Sequence, residues 1–239
     1  GPGGGGPGMI TERVNTSVLV EAADQILLFD AGRGTLLRLA QLDPAYPGSV
    51  EKLFLSHLHS DHINDIPDLF LNGSVVRRRE ALKVWGPPGT KHFVSNPVDA
   101  LEWDLDYRSN PRRGRSSMTA FEVQEGTVFD RNGAKVRAFH VDHWPPRLDE
   151  SFRKRFPAFG YRLEYAGQSV VISGDTRYSE NLIMHAKGAD IIIHEVNLRP
   201  GIQKQGERGN KQGSHHTSPQ EAGRIFARTN PKLGVYYHI

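Results

Sequence analysis

The chain has 239 residues, 37% of them apolar, and a formal net charge of +3. That length suits one compact α/β domain with a substantial core, and no run reaches the ~20 apolar residues of a membrane-spanning helix, so no membrane partner is expected. The lack of cysteine excludes a disulfide framework and any thiolate metal site, and leaves a cytoplasmic or a periplasmic location equally open.

Residues 1–8, Gly-Pro-Gly-Gly-Gly-Gly-Pro-Gly, read as a flexible low-complexity segment, with a single domain expected over 9–239. Thr16–Ala22 and Gln25–Phe29 predict a β-hairpin, and Thr35–Gln41 a helix. Val50–Leu55 reads as a buried strand that runs into a cluster of histidines. Ile63–Leu71 has the pattern of a short helix, and Leu82–Trp85 is a strand closed by Gly86-Pro87-Pro88-Gly89. Further strands are predicted at Ala120–Gln124, Thr127–Asp130, Lys135–Val141, Phe159–Tyr165, Ser169–Ser173, Ile191–His194 and Gly234–Tyr237. Asn132-Gly133 and Ala166-Gly167 supply hairpin turns. Ser218-Pro219-Gln220-Glu221 is a capping box with proline at the first helical position, so a helix should run from there to about Thr229. Several of these strands end in a His or an Asp.

The densest group of such residues is Ser56-His57-Leu58-His59-Ser60-Asp61-His62. In an extended segment, alternation places His57 and His59 on one side, and a turn into the next helix can swing Asp61 and His62 toward a second point. Imidazole and carboxylate donors suit Zn²⁺, and also Mn²⁺ or Fe²⁺. Three basic clusters, Arg77–Arg79, Arg112–Arg113 with Arg115, and Arg153–Lys154–Arg155, can neutralise phosphates. Such clusters are more often solvated surface.

The pattern His-x-His-x-Asp-His after a strand resembles the metallo-β-lactamase superfamily. Four further segments resemble motifs of that family in the right order: Phe29-Asp30-Ala31-Gly32-Arg33-Gly34, His143 ahead of Phe159-Gly160-Tyr161, Ser173-Gly174-Asp175-Thr176, and Tyr237-His238. The resemblance implies a four-layer αβ/βα sandwich, incomplete at both ends of this chain, and a binuclear hydrolase with two Zn²⁺. It implies that His57, His59 and His143 hold one ion, that Asp61, His62 and His238 hold the other, and that Asp175 bridges them. Asp30 would bond a ligand histidine and fix its tautomer. A hydroxide shared between the ions would attack, with Asp61 orienting it or taking its proton.

Within that superfamily the chain is most similar to the ribonuclease Z-like branch and its type III arylsulfatase relatives. Ile193-His194-Glu195, His216-Thr217-Ser218 and Leu82–Thr90 carry the first likeness, and Leu101–Leu105 with Arg108 the second. This implies a Glu195/His216 dyad near the leaving group, with His216 preferred to His215 by its spacing from the capping box. It implies a phosphodiester substrate, RNA among the candidates, with a sulfate ester as the alternative. A non-catalytic metal- or RNA-binding module is a further alternative, and analogy suggests a homodimer. Trp144–Phe156, basic and aromatic, reads either as a lid or substrate wall beside the site or as a surface insertion. His92, His140, His185 and His194 read as structural or exposed, and Asp65 and Asp68 as helix N-terminal charge.

Overall fold

A computed structural model describes residues 13–76, 78–109, 114–144, 148–197 and 215–239. The Gly/Pro-rich residues 1–8, Arg77 and the Arg112–Arg113 pair lie outside them. The described residues form two compact units, 13–123 and 124–239.

The first unit holds a five-stranded sheet in the order β1 (Val18–Ala22), β2 (Gln25–Phe29), β3 (Lys52–Phe54), β4 (Leu82–Gly86), β5 (Met118–Glu122). Only β1 and β2 are antiparallel; β2 through β5 run parallel. Parallel neighbours need crossovers. These are α1 (Thr35–Leu42), then α2 (Ser60–Ile63) with α3 (Ile66–Val75), then α4 (Thr90–Ala100) with α5 (Glu102–Tyr107). On one face Leu28, Leu53, Leu55 and Val84 pack with Ile66, Leu69 and Phe70 of α3, each such side chain contributing roughly 1.5–3 kcal/mol on burial. The alternate residues form a row of stacked rings along the strand register: Phe29 on Phe54 at 5.1 Å, Phe54 on Trp85 at 4.9 Å, Trp85 on Phe121 at 5.1 Å.

The second unit holds a six-stranded sheet in the order β11 (Leu233–Tyr237), β10 (Ile191–Glu195), β9 (Gln168–Ile172), β8 (Ala158–Tyr165), β7 (Ala134–Val141), β6 (Gly126–Arg131). Strands β6 to β9 are antiparallel, and β9, β10 and β11 are parallel. The two hairpin turns have positive φ at both central residues, 51° and 80° at Asn132-Gly133 and 49° and 76° at Ala166-Gly167, as tight primed turns demand. A short helix α6 (Glu150–Arg155) precedes β8, and α7 (Glu180–Ala186) and α8 (Pro219–Thr229) make the parallel crossovers. Both bonds of the capping box form at the start of α8: Ser218 accepts from the Glu221 amide and Glu221 from the Ser218 amide. The core joins Phe139, Val171 and Ile192 to Leu182, Ile183 and Ile225. Gly160 is required by that packing, because a Cβ there would sit 2.6 Å from the Phe139 ring.

Every predicted strand is present, with ends shifted by two residues or fewer. The helix predicted at Ile63–Leu71 divides into α2 and α3, and α4 to α7 were not predicted. Helix α4 carries Pro97, and α5, α6 and α7 have only six or seven residues, too short to show a helical period.

Candidate metal centre

In the first unit, strand β2 is followed directly by Asp30, whose φ of 56° lies in the left-handed region. Its neighbours are stitched to the histidine loop through the backbone. Ala31 N–H donates to the His62 carbonyl at 2.7 Å, and Thr16 N–H to the Asp61 carbonyl at 3.3 Å. Gly32 is glycine because a Cβ would lie 2.0 Å from the Asp61 carbonyl oxygen. The Asp30 carboxylate then accepts three bonds of 2.8 Å, from Ser56 N–H, Ser56 Oγ and His62 Nδ1. Ser56 Oγ gives its proton to Asp30, so it accepts from His57 Nδ1 at 3.0 Å. Both histidines are thereby held in the Nδ1–H tautomer, which leaves each Nε2 as the donor atom toward a metal ion. His62 Nε2 lies 3.7 Å from Asp61 Oδ2. His57, Asp61 and His62 are buried and His59 is exposed; the His59 and His57 rings are 4.5 Å apart.

In the second unit the functional side chains stand beyond the carboxyl ends of β7, β9, β10 and β11. Asp175 Oδ2 is approached by His238 Nε2 at 3.4 Å and His143 Nε2 at 3.8 Å. His143 Nδ1 donates to the His215 carbonyl at 3.1 Å, which turns Nε2 toward Asp175. His238, like Asp30, has a left-handed backbone, φ 56°. These nitrogen–oxygen separations exceed those of hydrogen bonds. They suit two ligands of one tetrahedral cation, which at bond lengths of 2.0–2.2 Å stand about 3.4 Å apart. The donor set, neutral imidazoles and carboxylates with no thiolate, therefore fits zinc or a similar divalent ion.

Glu195, fully buried at the end of β10, accepts from Thr176 N–H at 2.7 Å and from His216 Nδ1 at 3.0 Å. Burial pushes its carboxyl group up, and the His216 hydrogen bond and charge oppose that. His216 Nδ1 is also 3.7 Å from Asp175, but its hydrogen bond, at 3.0 Å, goes to Glu195. The His215 carbonyl accepts from His143, and the His215 ring lies 5.0 Å from that of His143 and 4.4 Å from that of His216. Donor atoms of His143, Asp175 and His216, and likewise of Glu195, His216 and His238, lie within 4.8 Å of one another.

Thr176 joins these loops, a role that nothing in the sequence beyond its place after Asp175 signals. Its Oγ1 accepts from Asp142 N–H at 3.0 Å, its N–H binds Glu195, and its carbonyl accepts from Thr217 Oγ1 at 2.6 Å. Of the other histidines, His92 is exposed and the rest have structural partners. His194 is buried, donates from Nδ1 to the Glu195 carbonyl, and is lowered by burial to about 4, so it is neutral. His185 stacks on Phe139, and His140 on Phe159. Asp65 does not act as expected. Its carboxylate accepts from Leu36 N–H at 2.6 Å and so caps α1, whose own N-cap, Gly34, has no side chain to do so.

The fold and these two groups of candidate ligands define a class. Residues 25–239 match the Beta-lactamase superfamily domain. Ribonuclease Z of Mycolicibacterium paratuberculosis is 34% identical over 99% of this chain and 83% of its own length. Human tRNase Z, short form, superposes with a TM-score of 0.70 at 24% identity, covering 100% of this chain and 90% of that one. The metallo-β-lactamase fold protein YhfI of Bacillus subtilis gives 0.70 at 20% identity, over 99% and 83% of the two chains. The chain belongs to the metallo-β-lactamase superfamily and, within it, to the ribonuclease Z family.

Proposed function

We propose that this protein is a metal-dependent phosphodiesterase of the ribonuclease Z type, with RNA as the substrate class. The observation that carries this reading is the His216–Glu195 pair at 3.0 Å beside Asp175. It adds a proton-transfer device to a ligand set, which a module that only binds metal would not need. In this reading His57, His59 and His143 hold one ion, Asp61, His62 and His238 the other, and Asp175 is shared. A pair of divalent cations, with Zn²⁺ the best match to the donors, would supply Lewis acidity toward a tetrahedral ester and make hydroxide available near neutral pH.

The chain's own groups do the rest. Asp61 orients the attacking water and accepts its proton on a carboxylate oxygen. His216 presents Nε2 to the departing oxygen and protonates it, while Glu195 holds Nδ1–H and stabilises the imidazolium form. Thr176, through its amide bond to Glu195, keeps that carboxylate aimed at His216.

Kinetics of the zinc-loaded chain on bis(p-nitrophenyl) phosphate, an aryl sulfate and a 3′-extended RNA test the reading. Turnover of the diester and the RNA is expected, with kcat/KM on the aryl sulfate lower by ~100-fold or more, about 2.7 kcal/mol. No turnover with zinc, manganese or iron would overturn it, and a preference for the sulfate would replace the substrate class.

A further inference from the structure

The segment between His143 and β8 is used by neither group of ligands, yet it begins at one of them. The His143 ring lies 5.7 Å from Trp144, Trp144 lies 5.6 Å from Phe152 across an edge-to-face contact, and Phe152 lies 4.7 Å from Phe156. Trp144 anchors the inner end of this row by packing on the core of the second unit. Phe156 forms the outer end and is 40% exposed, with the Arg155 guanidinium over its ring at 5.0 Å. A row of rings thus leads from a candidate ligand to an open aromatic face already paired with a cation.

The charges on α6 point the same way. Arg153, Lys154 and Arg155 fill its last turn. Lys154 pairs with Glu150 at 3.0 Å, and no ion pair with Arg153 or Arg155 occurs among the described residues. Among the described residues Arg153 Nε is buried without a hydrogen-bond acceptor. A guanidinium does not deprotonate, so half-buried Arg153 keeps a charge that no carboxylate among the described residues meets and that an anion would complement. A favourable interaction with the helix dipole would explain cations in a last turn. It explains neither the exposed ring nor the buried unpaired donor. A free phosphate would need no ring, and a duplex hides its base faces. Alternating phosphates and open bases are the chemistry of a single strand.

We propose that α6 and Phe156 form a binding subsite for single-stranded RNA next to the scissile phosphate. A base stacks on Phe156 and Arg155, and the backbone phosphates meet Arg153 and Arg155. The inference rests on the phosphodiesterase reading above.

Fluorescence anisotropy tests it, using the full-length zinc-loaded chain and a short labelled oligouridylate checked intact after each titration. Phe156→Ala is expected to weaken binding by about 10-fold, and Phe156→Tyr to restore it. Arg153→Gln and Arg155→Gln should each reduce the slope of log affinity against log salt by ~0.7. Arg131→Gln, an exposed arginine on β6, should change neither. Arg155 is exposed, so its variant reads the subsite even if Phe156→Ala disturbs folding. Unchanged affinity and slope in folded Arg155→Gln and Phe156→Ala, or equal affinity for duplex RNA, would overturn the proposal. Turnover of bis(p-nitrophenyl) phosphate by the unaltered chain separates the two readings. Turnover with unaffected anisotropy removes only the subsite, whereas no turnover removes the phosphodiesterase.

Discussion

The Asp30 carboxylate holds His62 Nδ1 directly, at 2.8 Å, and reaches His57 Nδ1 through the Ser56 hydroxyl. One buried anion thus sets the direction of two Nε2 lone pairs. Asp30→Ala should weaken zinc binding by ~10–100-fold, the range found for outer partners of ligand histidines. Ser56→Ala should give a smaller loss, because only His57 is released. Competition titration against a chromophoric chelator checks both; equal affinity in Asp30→Ala would mean that the tautomers are fixed in some other way.

Gly32 tests how closely the two loops of the first unit must approach. An added Cβ would meet the Asp61 carbonyl at 2.0 Å, Asn15 Cβ at 2.6 Å and Thr16 N at 2.9 Å. Two of these are backbone atoms that cannot rotate away. Gly32→Ala should lower stability by ~1–3 kcal/mol or more, measured by urea denaturation of the metal-free chain. It should also weaken zinc binding, because the segment that must shift carries Asp61.

Arg78 is a half-buried strut. It donates to the carbonyls of Val50, Phe70 and Leu69 at 2.8, 3.1 and 2.8 Å. Burial lowers its guanidinium to about 10, still charged at neutral pH. Arg78→Met would strand these acceptors and should cost about 3 kcal/mol in denaturation experiments, with zinc stoichiometry unchanged.

His194 predicts a direction for stability against pH. Its ordinary value of 6.5 falls to about 4 in the fold, because burial disfavours the imidazolium. Between these values the unfolded chain binds the extra proton, so stability is complete above about pH 6.5 and declines as pH falls toward 4. The slope should approach about 1.4 kcal/mol per pH unit. Replacing His194 with Gln should flatten that part of the profile; an unchanged slope would assign the acid sensitivity to other groups.

The strands were legible because each buried run is short, apolar and punctuated by Gly, Asn or Pro. Asp30, the histidine loop and the Ser173–Thr176 segment were legible because strand ends carried residues that strands do not need. The struts were not. Arg78 reads as one of three surface arginines, yet it closes the carboxyl end of α3 from within. Asp65 reads as charge at the start of its own helix but caps α1 from 29 positions away. Thr176 gains its role from three long-range partners. Sequence pattern reports what a segment does with its neighbours along the chain, and these side chains act across it.

In the proposed function, ligands from distant parts of the chain share two cations. Zinc content after exhaustive dialysis, measured by mass spectrometry on the unaltered chain and on His57→Ala, His143→Ala and Asp175→Ala, tests it most directly. About two ions per chain are predicted for the unaltered protein, about one for each histidine variant, and one or fewer for Asp175→Ala. Two tightly held ions in all four proteins, or none in the first, would contradict it.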